Sequence, residues 1–255
     1  MKRYLVFLLI FFAGVGIVVF ANQTKKGAQI IGSHAQEQSS AKTVKFNFDN
    51  QDLIVVYQQI EKGENLTLIP NFEKKEIAKD VYDREKCKLL TNAGFYSLDN
   101  KPIGLFIADG VPLSNLQNNL LFDGVFSVNF MGIPRITRSI PRDPLKLALQ
   151  SGPILKENNE FKNLSIIDDH PARRIVMGVT GENKAVLMVI YKDGSSFDGP
   201  LLGNLPTVLK TFEEKSGTTL ADAINLDGGG ASAFYSGDTI LTEASPVGSF
   251  FCQHE

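Results

Sequence analysis

Residues 224–235 read INLDGGGASAFY. Asp227 is a carboxylate that can serve as a general base or a nucleophile, and Ser232 offers a hydroxyl close behind it. Between them stand Gly228, Gly229 and Gly230. Glycine suits a positive φ, or a place where a ligand must come close to the main chain. Successive exposed N–H groups in such a turn form an anion-binding nest. A plain hairpin turn needs only one Asp-Gly pair, so the extra glycines call for another reason. No Gly-Lys-Ser/Thr follows, which excludes a phosphate-binding P-loop, and the helix-starting context of a dinucleotide fingerprint is missing. The stretch points to a ligand site in which a carboxylate lies beside main-chain donors.

Other polar residues interrupt apolar runs in the same way. In TNAGFY (91–96), Asn92, Gly94 and Tyr96 break the end of a strand-like run. Either Asn92 presents its amide to a polar ligand, or the strand simply runs into a turn with Phe95 in the core. Gln150 enters Ser-Gly-Pro in LQSGPIL, again an uncharged polar residue at a strand end. His170, Arg173 and Arg174 precede the run RIVMG. Arginine there is either solvated surface or a clamp for phosphate or carboxylate. In residues 134–146, Arg135, Arg138, Arg142 and Lys146 read first as a charged surface loop and second as an entrance that attracts anions.

The elements that must hold these residues are mostly strands. Runs at 53–57, 88–96, 103–108, 124–130, 147–155, 174–180 and 185–191 have strand length and are bounded by Gly, Pro, Asn or Asp. Residues 179–191 read as a hairpin turning at Gly181–Asn183, and Ala231–Tyr235 can resume as a strand after the glycines. Leu205, Val208, Leu209 and Phe212 repeat at helical spacing, with Asn204 as a cap, Pro206 in the first turn and Gly217 as a stop. A second helix is expected around Glu73–Glu85. Strands outnumber helices and do not alternate regularly with them. This predicts an α+β fold: a single domain with a mixed, largely antiparallel β-sheet core and a few flanking helices.

Lys2 and Arg3 precede an apolar run over 5–20 that closes at Ala21. Residues 1–21 therefore read as a signal peptide or a signal anchor, and residues 22–43 as a polar linker. The folded part is expected over 44–255, in an extracytoplasmic setting, periplasmic or secreted. Any membrane contact is expected only through the N-terminal segment. The net charge of −2 argues against nucleic acid as a partner. Cys87 and Cys252 can form one disulfide or remain two buried thiols, and the sequence leaves both open. His34 and His254 lie near the two ends of the chain and are poor acid–base candidates, which leaves His170.

Taken in order, several motifs resemble the phosphodiester glycosidase family. They are Asn-Ala-Gly-Phe-Tyr, Gln-Ser-Gly-Pro, Arg174 ahead of Gly178, Asn-Leu-Asp-Gly-Gly-Gly-x-Ser and Pro-Val-Gly. The resemblance covers roughly 45–250. Ala231 stands where the family commonly has Ser, and Ala93 where a second Gly is frequent. The resemblance implies a hydrolase that cleaves the sugar–phosphate bond of a sugar-1-phosphodiester. It implies Asp227 and Arg174 as catalytic residues. It implies Asn92, Gly94, Gln150, Asn225, Gly228, Gly229, Gly230 and Ser232 as substrate-binding residues. Glycosidases commonly use two carboxyl groups, and Asp109 or Asp123 is a candidate for the second. A phosphate leaving group needs less protonation than a sugar alcohol, so one carboxylate plus charge stabilisation is also sufficient. No cofactor is required, and a divalent cation held by Asp227 and Asn225 is left open. The competing reading is a non-catalytic extracytoplasmic protein that binds a cell-surface glycan or a phosphate-bearing polymer.

Overall fold

Period-two alternation of apolar residues divides the long strand Gln51–Ile60 between two cores. Ile54 and Val56 face one, while Leu53, Val55 and Tyr57 face the other. Alternation of this kind marks a sheet buried on both faces, and the computed structural model shows how that burial is achieved. The described residues are 41–255. The expected signal or anchor segment 1–21 and nearly all of the expected linker lie outside them.

Three sheets surround the larger core. The seven-stranded sheet runs Lys42–Phe48, Gln51–Ile60, Ala185–Lys192, Arg174–Thr180, Leu220–Asn225, Ile154–Glu157 and Glu160–Phe161 in spatial order. One five-stranded sheet runs Thr239–Leu241, Phe234–Ser236, Leu89–Asn92, Ser249–Gln253 and Leu66–Pro70. The other runs Val111–Ser114, Phe106–Ala108, Leu145–Ser151, Gly124–Asn129 and Pro134–Thr137. Every strand pairing among the described residues is antiparallel, so the expected mixed sheet is corrected to an antiparallel one.

The helices cover outer faces. Leu205–Ser216 lays Leu205, Val208, Leu209 and Phe212 on the seven-stranded sheet, and burial of each such side chain contributes roughly 1.5–3 kcal/mol. Pro206 sits in the first turn, and Gly217 ends the helix with φ of 72°. Asn204 makes no capping bond. Asp169, from a distant loop, holds instead the short turn Leu202–Asn204 ahead of the helix, accepting Leu202 N at 2.9 Å and Gly203 N at 2.7 Å. The second helix is shorter than expected, Ala78–Glu85, and packs Ala78 and Val81 against the sheet that holds Phe250 and Cys252. Cys87 and Cys252 form a disulfide across 165 residues. Closing so long a loop stabilises the fold by roughly 5 kcal/mol on a chain-entropy account.

Two runs that read as local structure in the sequence are crossings between sheets. The run 147–155 is not one strand. It divides at a cis Gly152–Pro153 bond into Leu145–Ser151 of a five-stranded sheet and Ile154–Glu157 of the seven-stranded sheet. The glycine run after Asp227 likewise does not close a hairpin. It carries the chain from Leu220–Asn225 in the seven-stranded sheet to Phe234–Ser236 in a five-stranded one. The hairpin of Arg174–Thr180 with Ala185–Lys192 forms as expected.

Candidate active site

The two crossings meet. Ser151 Oγ donates to Asn225 O at 2.7 Å, Asn225 N donates to Pro153 O at 3.1 Å, and Asn225 Nδ2 donates to Gly152 O at 2.9 Å. The end of the strand Leu89–Asn92 joins them, with Asp227 N bonded to Ala93 O at 3.2 Å and Asn92 Nδ2 to Asp227 O at 2.7 Å. Three motifs far apart in sequence thus fix the main chain on both sides of Asp227. A Cβ on Gly152 would lie 2.2 Å from Leu121 O, so only glycine lets the crossing and the 115–123 loop approach this closely.

A cavity of about 340 Å³ opens at this junction. Asn225, Asp227, Gly228 and Gly229 line one side, Asp168, Asp169, His170 and Arg174 another, and Phe95, Leu121 and Phe122 a third. Asp227 Oδ1 accepts the N–H of Gly228 at 2.9 Å, and Oδ2 accepts no hydrogen bond among the described residues. Burial pushes the Asp227 carboxyl up to about 7, and the Gly228 bond offsets only part of that rise. Asn225 is buried, and its Oδ1 has no partner among the described residues. The bond from Nδ2 to Gly152 fixes which end of the amide is left over.

Arg174 lines this cavity, but it also builds the wall. Its Nε donates to Pro200 O at 3.0 Å, and Nη2 donates to Asp169 Oδ1 at 3.3 Å and His170 O at 2.6 Å. Nη1 makes no hydrogen bond among the described residues and is the part of the group left for a ligand. Burial lowers the Arg174 pKa, and the charge of Asp169 works against that. Asp169 is therefore doubly engaged, holding Arg174 and the start of the helix region. Asp168 and His170, on either side of it, are exposed.

Several expected ligand groups have structural tasks instead. The amide of Asn92 is fully engaged: Nδ2 holds Asp227 O, Oδ1 accepts Ala233 N at 2.9 Å, and the residue does not line the cavity. Gly94 packs against Leu149, whose Cδ1 would lie 2.4 Å from an added Cβ. Gln150 uses both ends of its amide on backbone: Oε1 accepts Leu105 N and Gln117 N, and Nε2 donates to Gln117 O and Phe122 O. The expected nest is not formed. Gly228 N turns to the Asp227 carboxylate, and Gly229 N turns to Arg173 O at 2.8 Å. Gly229 has φ of 59°, and a Cβ on Gly228 would lie 2.9 Å from Arg173 O, so both glycines serve the turn itself. Gly230 is exposed and accepts Ala244 N and Ser245 N through its carbonyl. Ser232 is fully buried; its Oγ accepts Arg173 Nε at 2.7 Å and donates to Gly229 O.

The carboxylates suggested as partners of Asp227 lie elsewhere. Asp123 accepts Ile154 N and pairs with Arg138, and Asp109 sits in the turn after Phe106–Ala108. Neither lines this cavity, whereas Asp168 does. Sequence reasoning missed Asp168 and Asp169; two adjacent acids ahead of His170 are the one sign that could have pointed to that loop. Tyr96 donates to Pro246 O with its ring against Gly248, where a Cβ would come within 2.7 Å. Burial first, and the charge of Asp227 second, raise its pKa. The Pro-Val-Gly motif is thus the seat of Tyr96. The basic residues of 134–146 are largely paired: Arg135 with Asp143, Arg138 with Asp123 and Glu157, and Lys146 with the carbonyls of Glu64 and Leu66. Among the described residues no three His, Cys, Asp or Glu side chains cluster so as to hold a metal ion.

The chain that folds into this antiparallel shell matches a known family. The family model for phosphodiester glycosidases matches residues 85–251, and the chain belongs to that family. In fold it is similar to the catalytic domain of zebrafish N-acetylglucosamine-1-phosphodiester alpha-N-acetylglucosaminidase, auto-inhibited by its propeptide. That match has a TM-score of 0.65 at 15% identity and covers 86% of this chain and 83% of the other. It is also similar to a hypothetical protein from Synechocystis, with a TM-score of 0.63 at 13% identity, over 83% of this chain and 61% of that one. No curated protein sequence matches the chain.

Proposed function

We propose that this chain hydrolyses the sugar–phosphate bond of a sugar-1-phosphodiester of N-acetylhexosamine type, in extracytoplasmic glycan metabolism. The observation that carries this reading is Asp227: its carboxyl is raised to about 7 by burial, and its Oδ2 is left without a partner among the described residues, at the wall of a cavity. A base with a pKa near the working pH combines a useful ionised fraction with a useful basicity. As general base, Asp227 takes a proton from water while the water oxygen attacks C1. The C1–O bond breaks, and the phosphate leaves as a monoester. As nucleophile, the same oxygen attacks C1 directly, and water later releases the sugar. Both routes end in a free reducing sugar and a phosphomonoester, and neither uses a cofactor. Arg174 Nη1 is the cationic donor for the departing phosphate. Asn225 Oδ1 is the acceptor for a sugar hydroxyl or an acetamido N–H.

The test is release of reducing sugar from an N-acetylglucosamine 1-phosphodiester. Asp227→Asn keeps the Gly228 bond and is expected to abolish release. Turnover at the native rate in that variant would overturn the assignment, and tight binding without release by the native protein would favour the non-catalytic glycan binder. Because the carboxylate is the active form, kcat/KM is expected to rise about tenfold per pH unit below 7 and to level off above it. A profile that falls as pH rises through 7 would make Asp227 the acid instead.

A further inference from the structure

Two hairpin turns meet at one end of the fold. In the first, the buried Asn129 fixes the chain: its Oδ1 accepts Met131 N at 3.0 Å and Ile133 N at 2.9 Å, and Gly132 has φ of 74°. In the second, Asp109 and Gly110 both have positive φ and turn the chain from Phe106–Ala108 into Val111–Ser114. The turns touch, since a Cβ on Gly110 would lie 3.0 Å from Phe130 Cζ. Phe130 is 61% exposed and Met131 72%, and Val111 and Leu113 beside them are exposed as well. Large apolar side chains are thus held in water by turns that are themselves well ordered, and an exposed apolar patch of this kind marks an interaction surface.

The entry of the chain and the nearby charges indicate what meets this surface. Lys42 pairs with Tyr57, and its charge acts on Glu61. From there the chain runs on to Gly63, which abuts the first turn: a Cβ on Gly63 would lie 2.3 Å from Gly132 O. Residue 41, the first described, therefore enters at the end of the fold that carries the patch. The apolar run over 5–20 stands about twenty residues earlier, and a chain of that length reaches at most ~70 Å. Around the turns, Lys62 and Lys146 are offset by Glu64 and Asp109, so no net charge selects a charged partner. Two turn tips without net charge, rather than a flat sheet face, suit the boundary layer of a bilayer better than a second copy of the chain. The opposite end of the same strands reaches the Asp227 cavity. Asn129 pairs with Leu145 beside the patch, and Gly124 pairs with Ser151, which bonds to Asn225. Five steps of strand place about 17 Å between those ends.

We propose that Phe130, Met131, Val111 and Leu113 rest on the lipid surface in which the N-terminal apolar segment is expected to sit, so that the domain is docked as well as tethered and the Asp227 cavity faces away from the bilayer. This adds a second membrane contact to the N-terminal one, and it does not depend on the hydrolase reading. A tether raises the local concentration of the two surfaces, so a contact too weak to bind alone suffices. The chain contains no tryptophan, and a single introduced one therefore reports on one place. In the full chain reconstituted into phosphatidylcholine vesicles, Met131→Trp is expected to show blue-shifted emission and to lose intensity when the acyl chains carry bromine. Ile240→Trp is exposed on Thr239–Leu241, at the far edge of its sheet from Leu66–Pro70, and is expected to show neither effect. Val111→Asp added to Met131→Trp is expected to abolish the quenching and leave the urea midpoint unchanged. Absence of quenching at 131, or equal quenching at 131 and 240, would overturn the docking. Quenching that survives Val111→Asp would overturn its placement on this patch. A blue shift at 131 that bromine does not quench, and that grows with the protein-to-lipid ratio, would give the patch to a second copy and overturn the lipid contact.

Discussion

Arg173 and Arg174 are neighbours in sequence and support opposite sides of the Asp227 cavity by different means. Arg173 is fully buried. Its Nε holds Ser232 Oγ, its Nη2 holds Ser232 O and Thr242 O, its own carbonyl holds Gly229 N, and its guanidinium lies over the Phe197 ring at 4.7 Å. It has no carboxylate within salt-bridge distance among the described residues, and burial lowers its pKa to about 10. Arg174 is half-buried and pairs with Asp169 at 3.3 Å. One arginine is a strut that shapes the turn behind the carboxylate. The other is a clamp on the 166–170 loop that keeps one nitrogen for a ligand. Alternation along a strand accounts for the contrast, because successive side chains leave on opposite faces.

The strut should matter more to folding. Arg173→Ala leaves the buried Ser232 hydroxyl and carbonyl without their guanidinium donor and is expected to cost about 3–5 kcal/mol in urea unfolding. A loss below 1 kcal/mol would show that the turn stands without it. Next in size is the carboxylate that both arginines frame. Its folded pKa, about 7, lies above its unfolded value, so its contribution to stability is complete below the unfolded pKa and is lost as pH rises through 7. Asp227→Asn is therefore expected to stabilise the fold by up to about 4 kcal/mol above pH 7, with little effect near pH 4. Equal melting temperatures for native and variant at pH 8 would contradict the desolvation described here. Arg174→Met has the smallest expected effect, about 1–3 kcal/mol. Amide hydrogen exchange sharpens the distinction: Arg174→Met should speed exchange over 166–170 and spare 228–233, and Arg173→Ala should do the opposite.

The sequence was most legible where structure is local. The Arg174–Lys192 hairpin and the helix from Leu205 to Ser216 follow from short-range alternation and helical spacing. The crossings were not legible, because Gly152-Pro153 and Gly228-Gly229 look like turns until their flanking strands are placed in different sheets. Asp227 and Arg174, which the motifs single out, line one cavity, and Arg173 does not. The tasks of Asn92 and Gln150 could not be read, since an amide offers the same atoms to a ligand and to a backbone. Nor could the glycine N–H groups, whose partners are a carboxylate one residue back and a carbonyl more than fifty residues away. Asp168, Asp169 and Phe122 lie in loops without periodicity, and Asp169 is fixed there by tertiary hydrogen bonds to Arg174, Leu202 and Gly203.

The strand Ser249–Gln253 lies inside its sheet, between Leu89–Asn92 and Leu66–Pro70. It belongs to the last few residues of the sequence and contributes Phe250, Phe251 and Cys252 to two cores. A ribosome working from the N-terminus therefore produces a chain that cannot close this sheet until residues 249–253 have emerged. Until then Leu66–Pro70 and Leu89–Asn92 each present an open edge toward the missing strand. Assembly of this sheet waits on its most distant strand rather than growing by gradual accretion, and a nascent chain stalled ahead of Ser249 would be held open at the middle of the sheet.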